Sequence, residues 1–387
     1  MSGRPRSALL EFLRTEQSAG AAMVVAALVA VVWATLSPSG YPEFWATPLT
    51  LPLPGLDHFT LKAWVDDGLM TLFFFVAGLE IKREVTVGEL CGRRAAAMPV
   101  LAAAGGMAVP ALVFVAFTAG DPAIRGWAVP TATDIAFVVG VCALLASRVS
   151  ASVRLFFLAL AIADDIGGIL VIALVYATGV SLPWLLAAAG GVAAILVLRR
   201  ARVARVWAYV PFGVWIWYAM LLSGVHPTIA GVVVGLLMPV GPFHGGDDVM
   251  DLIETRLHPY TSFVIAPVFA LANAGVALSA ASVEAALQAP VFWGIFAGLV
   301  AGKPLGISLA SWAGYRAGLT ERSTLASIVL ASPLGGIGFT VALFIATLSF
   351  EDPETLSHAL IAILAASITA ALASAASLEI GLRRRKP

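Results

Sequence analysis

Apolar residues run along this chain in long, nearly unbroken segments parted by short polar stretches. A helix needs about 20 mainly apolar residues to cross the hydrocarbon core of a bilayer. By that length the pattern predicts about twelve transmembrane helices. They fall at roughly 19–36, 60–82, 95–118, 125–146, 154–178, 182–199, 205–222, 224–240, 258–278, 290–312, 324–349 and 357–381. The first follows a basic stretch and exceeds the about 7–15 apolar residues of a signal peptide, so it reads as a span. The longest polar stretches are Ser37 to Phe59 and Pro239 to Tyr260. Strand signals in the first fit either a short hairpin or an irregular loop.

Two of the predicted spans are irregular. The one at 125–146 contains Pro130, Thr131, Thr133 and Asp134, and the one at 324–349 contains SPLGGIGFT. Pro130 has no amide proton and disfavours helix at Val129. Pro333, Gly335, Gly336 and Gly338 should unwind the other. Broken backbone at membrane depth is tolerated only inside protein or around a cavity. Each break exposes the positive N-terminus of one half-helix and the negative C-terminus of another. Asp134 is suited to the first and Lys303 to the second. The alternative is a pair of kinked helices with no ion role. The breaks occupy corresponding places in two three-span blocks, roughly 95–178 and 290–381, which points to a transporter site at a repeat interface. The chain, 1–387, reads as one integral membrane domain, with these blocks as its core and the other helices as scaffold.

Composition narrows the class. Apolar residues make up 60% of the chain and charged residues 12%, against about 25% charged in a soluble domain. That excludes a disordered chain, a nucleic-acid binder and an ordinary soluble enzyme. The 23 basic and 23 acidic residues balance, so what matters is where they sit. Basic residues recur on alternate sides of the predicted spans. They are Arg4, Arg6 and Arg14; then Lys82, Arg83, Arg93 and Arg94; then Arg148 and Arg154; then Arg199, Arg200, Arg202 and Arg205. Arg256, then Arg316 and Arg322, then Arg383 to Lys386 follow, and the intervening loops are nearly free of basic residues, with Arg125 and the span-edge Lys62 as exceptions. The positive-inside rule puts both termini in the cytoplasm and requires an even helix count. Cys91 and Cys142 lie far apart, and the His residues lack an H-E-x-x-H pattern, so no disulfide framework, metalloenzyme or resident cofactor is expected.

Charge inside apolar spans is the strongest chemical signal. Asp164 and Asp165 are adjacent in FFLALAIADDIGGILVIALVY. Asp134 and Lys303 lie in other spans, and Asp66 and Asp67 open the apolar part of another. Each charge at mid-bilayer costs roughly 2.5–3.5 kcal/mol on the insertion scale. A buried ion pair that merely locks helices is the alternative reading. It fits Lys303 better than the doublet, because two adjacent carboxylates outnumber one ammonium and point about 100° apart. The surplus carboxylate must hold a proton or a cation, and the two titrate as a coupled pair. Carboxylate, hydroxyl and carbonyl oxygens suit hard cations such as sodium and lithium.

The blocks FFFVAGLEIKRE, PTATDIAF, LALAIADDIGGI, GVHPTIAG, LANAGVAL, GKPLGI and GGIGFTVALFIA resemble the signature blocks of the NhaA-type sodium/proton antiporters. The resemblance runs from the first span to the last. It implies an all-α polytopic fold with inverted three-helix repeats and two broken helices crossing at mid-membrane, an architecture for which this family is a known example. Asp165 then resembles the principal cation-binding carboxylate, and Asp164 the neighbour that pairs with Lys303. Thr133 and Asp134 resemble the pair at the broken helix, with Thr133 lending a hydroxyl to the sodium ion. Lys303 has a structural or a proton-carrying role. Asp67 resembles an acidic residue facing the inner cavity. Glu80, Lys82, Arg83 and Glu84, with Glu254 and His258, resemble a cytoplasmic pH-response cluster. The competing account of that cluster is ordinary positive-inside charge. His226 titrates near neutral pH when unperturbed. It is followed by Pro227, where the family more usually has a small residue. Gly231 and Gly235 form a G-x-x-x-G suited to close helix packing.

The resemblance implies a secondary transporter of the bacterial inner membrane, not an enzyme. It would expel sodium or lithium against two incoming protons, electrogenically, and be activated by alkaline cytoplasmic pH. It would serve pH and sodium homeostasis, as a homodimer in membrane lipid, with no cofactor and no nucleic-acid partner. No G-x-x-x-x-G-K-[ST] phosphate loop is present. A sodium-coupled symporter of an organic solute, an intramembrane enzyme and a passive channel are the other readings of the same charges.

Overall fold

A computed structural model describes residues 4–88, 90–144, 151–177, 179–203, 205–240 and 249–383. Helix accounts for 81% of the structure, with no strand among the described residues. Among the described residues, seven helices are long and apolar enough to cross a membrane. These are Ser18–Leu36, Ala96–Phe117, Ser152–Val175, Leu182–Arg200, Val206–Ser223, Pro290–Arg316 and Pro353–Ile380. The count reaches eight if the bent pair Arg322–Gly336 and Phe339–Ser349, at 49° to each other, is taken as one span. The predicted spans at 60–82, 125–146, 224–240 and 258–278 are built from shorter pieces.

The pieces have local causes. Pro122–Thr131 is a 3-10 stretch, opened by Asp121, whose carboxylate accepts from Ala123 N at 2.8 Å. Pro130 ends it, the chain runs extended through Ala132 to Asp134, and Ile135–Leu144 resumes as α-helix. In the other broken span, Ser332–Gly336 tightens to 3-10 and Ile337 is extended. The segment 61–86 carries a π-helical stretch, Trp64–Leu69, between Leu61–Ala63 and Met70–Thr86. After Val210–Ser223 the chain turns at Gly224, whose φ of 79° is the left-handed value that suits a glycine cap. That turn delivers His226 and then Thr228–Leu237. The stretch after Ser37 folds back on itself antiparallel without regular strands, Leu49 N donating to Phe59 O at 2.9 Å and Leu61 N to Thr47 O at 3.0 Å. It contains the short helix Gly40–Trp45 and a loop closed by one bridge, Pro48 to Thr60.

Glycine sets the closest helix approaches. A Cβ on Gly231 would lie 2.1 Å from Thr71 O, and one on Gly235 would lie 2.5 Å from Phe75 O. Thr228–Leu237 therefore packs backbone to backbone on Met70–Thr86, as the G-x-x-x-G spacing predicts. Arg93–Phe117 meets Lys303–Arg316 in the same way, with a Cβ on Gly306 falling 2.1 Å from Gly105 O. From Phe339 to Ala346 every residue is buried. This half-helix is enclosed on all sides, which is why its sequence is apolar all round.

Candidate functional site

The two breaks meet. Asp134 N donates to Ile337 O at 2.8 Å, joining one extended stretch to the other. Asp134 Oδ1 accepts from Phe137 N at 3.2 Å, capping its own half-helix. Asp134 Oδ2 accepts from Thr340 N at 3.0 Å and also from the Thr340 hydroxyl, capping the start of Phe339–Ser349. One carboxylate thus neutralises two positive helix ends. Lys303 serves the opposite pole. Its ammonium donates to Thr131 O, at the C-terminal end of the 3-10 half.

Asp164 and Asp165 face this meeting point from helix Ala151–Val175. Lys303 Nζ is 2.7 Å from Asp164 Oδ2, and Thr133 Oγ donates to the same oxygen at 2.6 Å. Thr133 Oγ is also 3.0 Å from Gly335 O. Its single proton serves one acceptor at a time, so the hydroxyl oxygen keeps lone pairs free for a cation. Asp164 Oδ1 and Asp165 Oδ1 are buried and have no hydrogen-bond partner among the described residues. The site therefore gathers two carboxylates, the Thr133 hydroxyl and the buried carbonyls of Thr131 and Gly335 around one ammonium. It brings together Asp164, Asp165, Thr133, Asp134 and Lys303. Thr340 was not singled out by the sequence. Its signal is a hydroxyl two residues after the last glycine of the second break.

The residues expected to respond to pH divide between two ends of segment 61–86. Glu80, Lys82, Arg83 and Glu84 lie at its C-terminal end. His258 Nε2 is 3.8 Å from Glu80 Oε1, and Arg83 Nη1 is 2.5 Å from Glu254 Oε1. Lys82 is buried, and its ammonium donates to Leu236 O at 2.8 Å and to Met238 O. It thereby caps the negative C-terminus of Thr228–Leu237. His226 lies instead with Asp67, its Nε2 3.4 Å from Asp67 Oδ1 and its Nδ1 2.8 Å from Thr228 Oγ1. Asp67 precedes Glu80 by thirteen helical residues, about 20 Å along the axis. Its backbone carbonyl accepts from Trp217 Nε1 at 2.9 Å and from Thr71 Oγ1 at 2.5 Å. Beside it Asp66 pairs with Lys62 at 3.0 Å and accepts from Asn273 Nδ2 at 2.7 Å. Asn273 is a second residue the sequence left unmarked, since Asp66 and Lys62, which it meets here, lie more than 200 positions away.

Comparison with known proteins covers nearly the whole chain. The profile of the family described as Na+/H+ antiporter 1 matches residues 10–378. The proteins named Na(+)/H(+) antiporter NhaA from Escherichia coli strain K12 and from Shigella flexneri are each 43% identical to this chain over 384 residues. That alignment covers 97% of this chain and 98% of each of those proteins. By their names these relatives are transporters and not enzymes. Together with the apolar helices they mark a bacterial membrane protein. This chain, with a buried carboxylate doublet beside two helix breaks that meet and matched over nearly its whole length, belongs to the NhaA-type Na+/H+ antiporter family.

Proposed function

We propose that this protein exchanges sodium for protons across the cytoplasmic membrane, with Asp164 and Asp165 as the shared binding site. The observation that carries this reading is the contrast between the neighbours. Asp164 is ion-paired to Lys303, while Asp165 Oδ1 is buried without a partner. An uncompensated buried carboxylate is costly. Asp165 meets that cost by holding a proton or a cation, one excluding the other. Thr133 Oγ and the carbonyl oxygens freed by the breaks supply further hard ligands for sodium or lithium. Lys303 holds Asp164 in place and, when the pair opens, is a candidate carrier of the second proton. Two protons per sodium make the exchange electrogenic, so pH gradient and membrane potential both drive it.

Alternating access follows from rocking of the core blocks, roughly 95–178 and 290–381, against the remaining helices. In this reading twelve spans and inverted repeats form one domain. Both termini are cytoplasmic, and the protein works as a homodimer in inner-membrane lipid. Glu80, Lys82, Arg83, Glu84, Glu254 and His258 tune the site from one end. Asp67 and His226 line the passage at the other. A protonated site cannot capture sodium, so turnover rises with cytoplasmic pH, serving pH and sodium homeostasis.

Everted vesicles from cells without their own antiporters test this directly. Proton movement is followed with a pH-sensitive dye as sodium, lithium or potassium is added. Sodium- or lithium-driven proton efflux, lost in Asp165→Asn and steeper toward about pH 8 than about pH 6, is expected. No response to any cation at any pH overturns the antiporter reading in favour of a sodium-coupled symporter. A rate flat across that pH range removes the activation by alkaline pH.

A further inference from the structure

Three elements carry the site: helix Ala151–Val175, the broken segment from Pro122 to Leu144, and the half-helix Phe339–Ser349. At the site they are tied by Thr133 to Asp164, at 2.6 Å, and by Asp134 to Thr340. They are tied a second time at their far ends. Tyr176 follows the last residue of the first helix, and its hydroxyl donates to Arg125 O at 3.0 Å, in the 3-10 stretch. Ser349, the last residue of the half-helix, places Oγ 2.8 Å from the Tyr176 oxygen and 2.6 Å from Ile345 O, and its one proton serves these two acceptors in turn. The ring of Phe350 lies on Gly126 beside this joint, where a Cβ would fall 2.2 Å from it.

The three struts between the two joints match in length. Asp165 to Tyr176 is eleven helical residues, about 17 Å, and Thr340 to Ser349 is nine, about 14 Å. Arg125 to Thr131 is six residues, about 12 Å at the 3-10 rise, and two non-helical residues carry the chain on to Thr133. The elements form a closed frame with the carboxylate doublet at one end and the phenol at the other. The non-helical stretches inside it, 132–134 and 337–338, have no helical ladder to fix their register. Their longitudinal position is therefore set at the two joints.

We propose that Tyr176 is a positioning residue for the cation site, acting through Arg125 and Ser349 to hold Thr133, Asp134 and Thr340 in register with Asp164 and Asp165. This rests on the reading of that doublet as the ion site. Ligand oxygens must be held within about 0.5 Å of a productive arrangement. Loosening the far joint changes cation affinity before it changes anything else.

The test uses the full-length protein in everted vesicles, comparing wild type, Tyr176→Phe, Ser349→Ala and Asp165→Asn. Tyr176→Phe and Ser349→Ala each raise the apparent KM for sodium about three- to tenfold, the scale of one neutral hydrogen bond. The maximal rate and the melting temperature of the purified protein stay near wild type. Tyr176→Phe combined with Thr133→Ala raises KM by less than the product of the two single effects, because both act on one oxygen. Gly126→Ala, which wedges the same joint, shifts KM in the same direction. A merely structural tyrosine would instead lower maximal rate and melting temperature together at constant KM. Should Tyr176→Phe fail to fold, Ser349→Ala removes the Ser349 half of the joint without touching the ring or the Tyr176–Arg125 bond, and its KM decides. Unchanged KM in the variants, with Asp165→Asn inactive, overturns the frame and leaves the site intact. Wild-type response from Asp165→Asn overturns the site itself, and this proposal with it.

Discussion

Lys303 Nζ lies 2.7 Å from Asp164 Oδ2, and both side chains are fully shielded from solvent. Asp165, one residue on, presents a buried Oδ1 that no described residue reaches. The pair and its unpaired neighbour call for opposite responses to mutation.

Removing the ammonium exposes the cost of a buried charge. Lys303→Met leaves Asp164 with the Thr133 hydroxyl and is expected to destabilise the protein by about 3–5 kcal/mol. Thermal unfolding of the detergent-solubilised protein measures it. A midpoint equal to wild type would mean that Asp164 is held mainly by hydroxyl and backbone.

Removing the unpaired carboxylate has the reverse signature. Asp165→Asn keeps the shape and abolishes the repulsion toward Asp164. Sodium-driven proton movement is expected to fall to background, while the melting midpoint holds or rises. Loss of activity together with a large drop in stability would count against Asp165 being the surplus charge.

Asp134 is a double cap. Asp134→Ala strips acceptors from Phe137 N and Thr340 N at once. A single cap contributes about 0.5–2 kcal/mol, and two ends are affected here. Asp134→Asn retains an oxygen acceptor but not the charge, and should fall between wild type and alanine in thermal unfolding.

The helix pair built on glycine gives a steric prediction. In Gly231→Ala the new methyl meets Thr71 O at 2.1 Å, with backbone on both sides. Overpacking of this kind costs about 1–3 kcal/mol, which is expected to appear as reduced yield of folded protein in the membrane. Gly190, with nothing within 4 Å of its Cβ position, is the control. Gly190→Ala should express as well as wild type.

Asp352 supplies a pH-linked prediction outside the spans. Thr355 donates to its Oδ2 through Oγ1 at 2.6 Å and through N at 2.8 Å. These bonds hold the exposed Asp352 carboxyl below the ordinary carboxylate range. A depressed folded value gives stabilisation that is fully present above the unfolded value, about 3.9, and is lost as pH falls through the lower folded one. Hydrogen exchange at the amides of Thr355 and Leu356, corrected for intrinsic rate, should accelerate below about pH 4. In Asp352→Ala it should be fast at every pH.

Local chemistry determined much of this protein before any folding was considered. Desolvation is a cost per residue, so runs such as Ala19 to Leu36 and Leu182 to Leu198 declared themselves by length. Pro130 and Gly335 to Gly338 declared the breaks, since proline lacks a donor and glycine lacks a Cβ wherever they sit. The excess of carboxylates over ammonium at Asp164, Asp165 and Lys303 was a count that the sequence already contained. Tertiary structure decided what each group touches. Lys82 stands among the basic residues after a span, yet it caps a helix end 154 positions away. His226 belongs with Asp67 and not with Glu80, because the turn at Gly224 delivers it to the far end of segment 61–86. The pieces within 60–82 and 258–278 escaped hydropathy, since a π turn and an α turn bury the same side chains. Which atoms meet depends on how closely backbones approach, and contacts such as Gly231 on Thr71 and Gly306 on Gly105 set that distance in three dimensions, where no sequence spacing reaches.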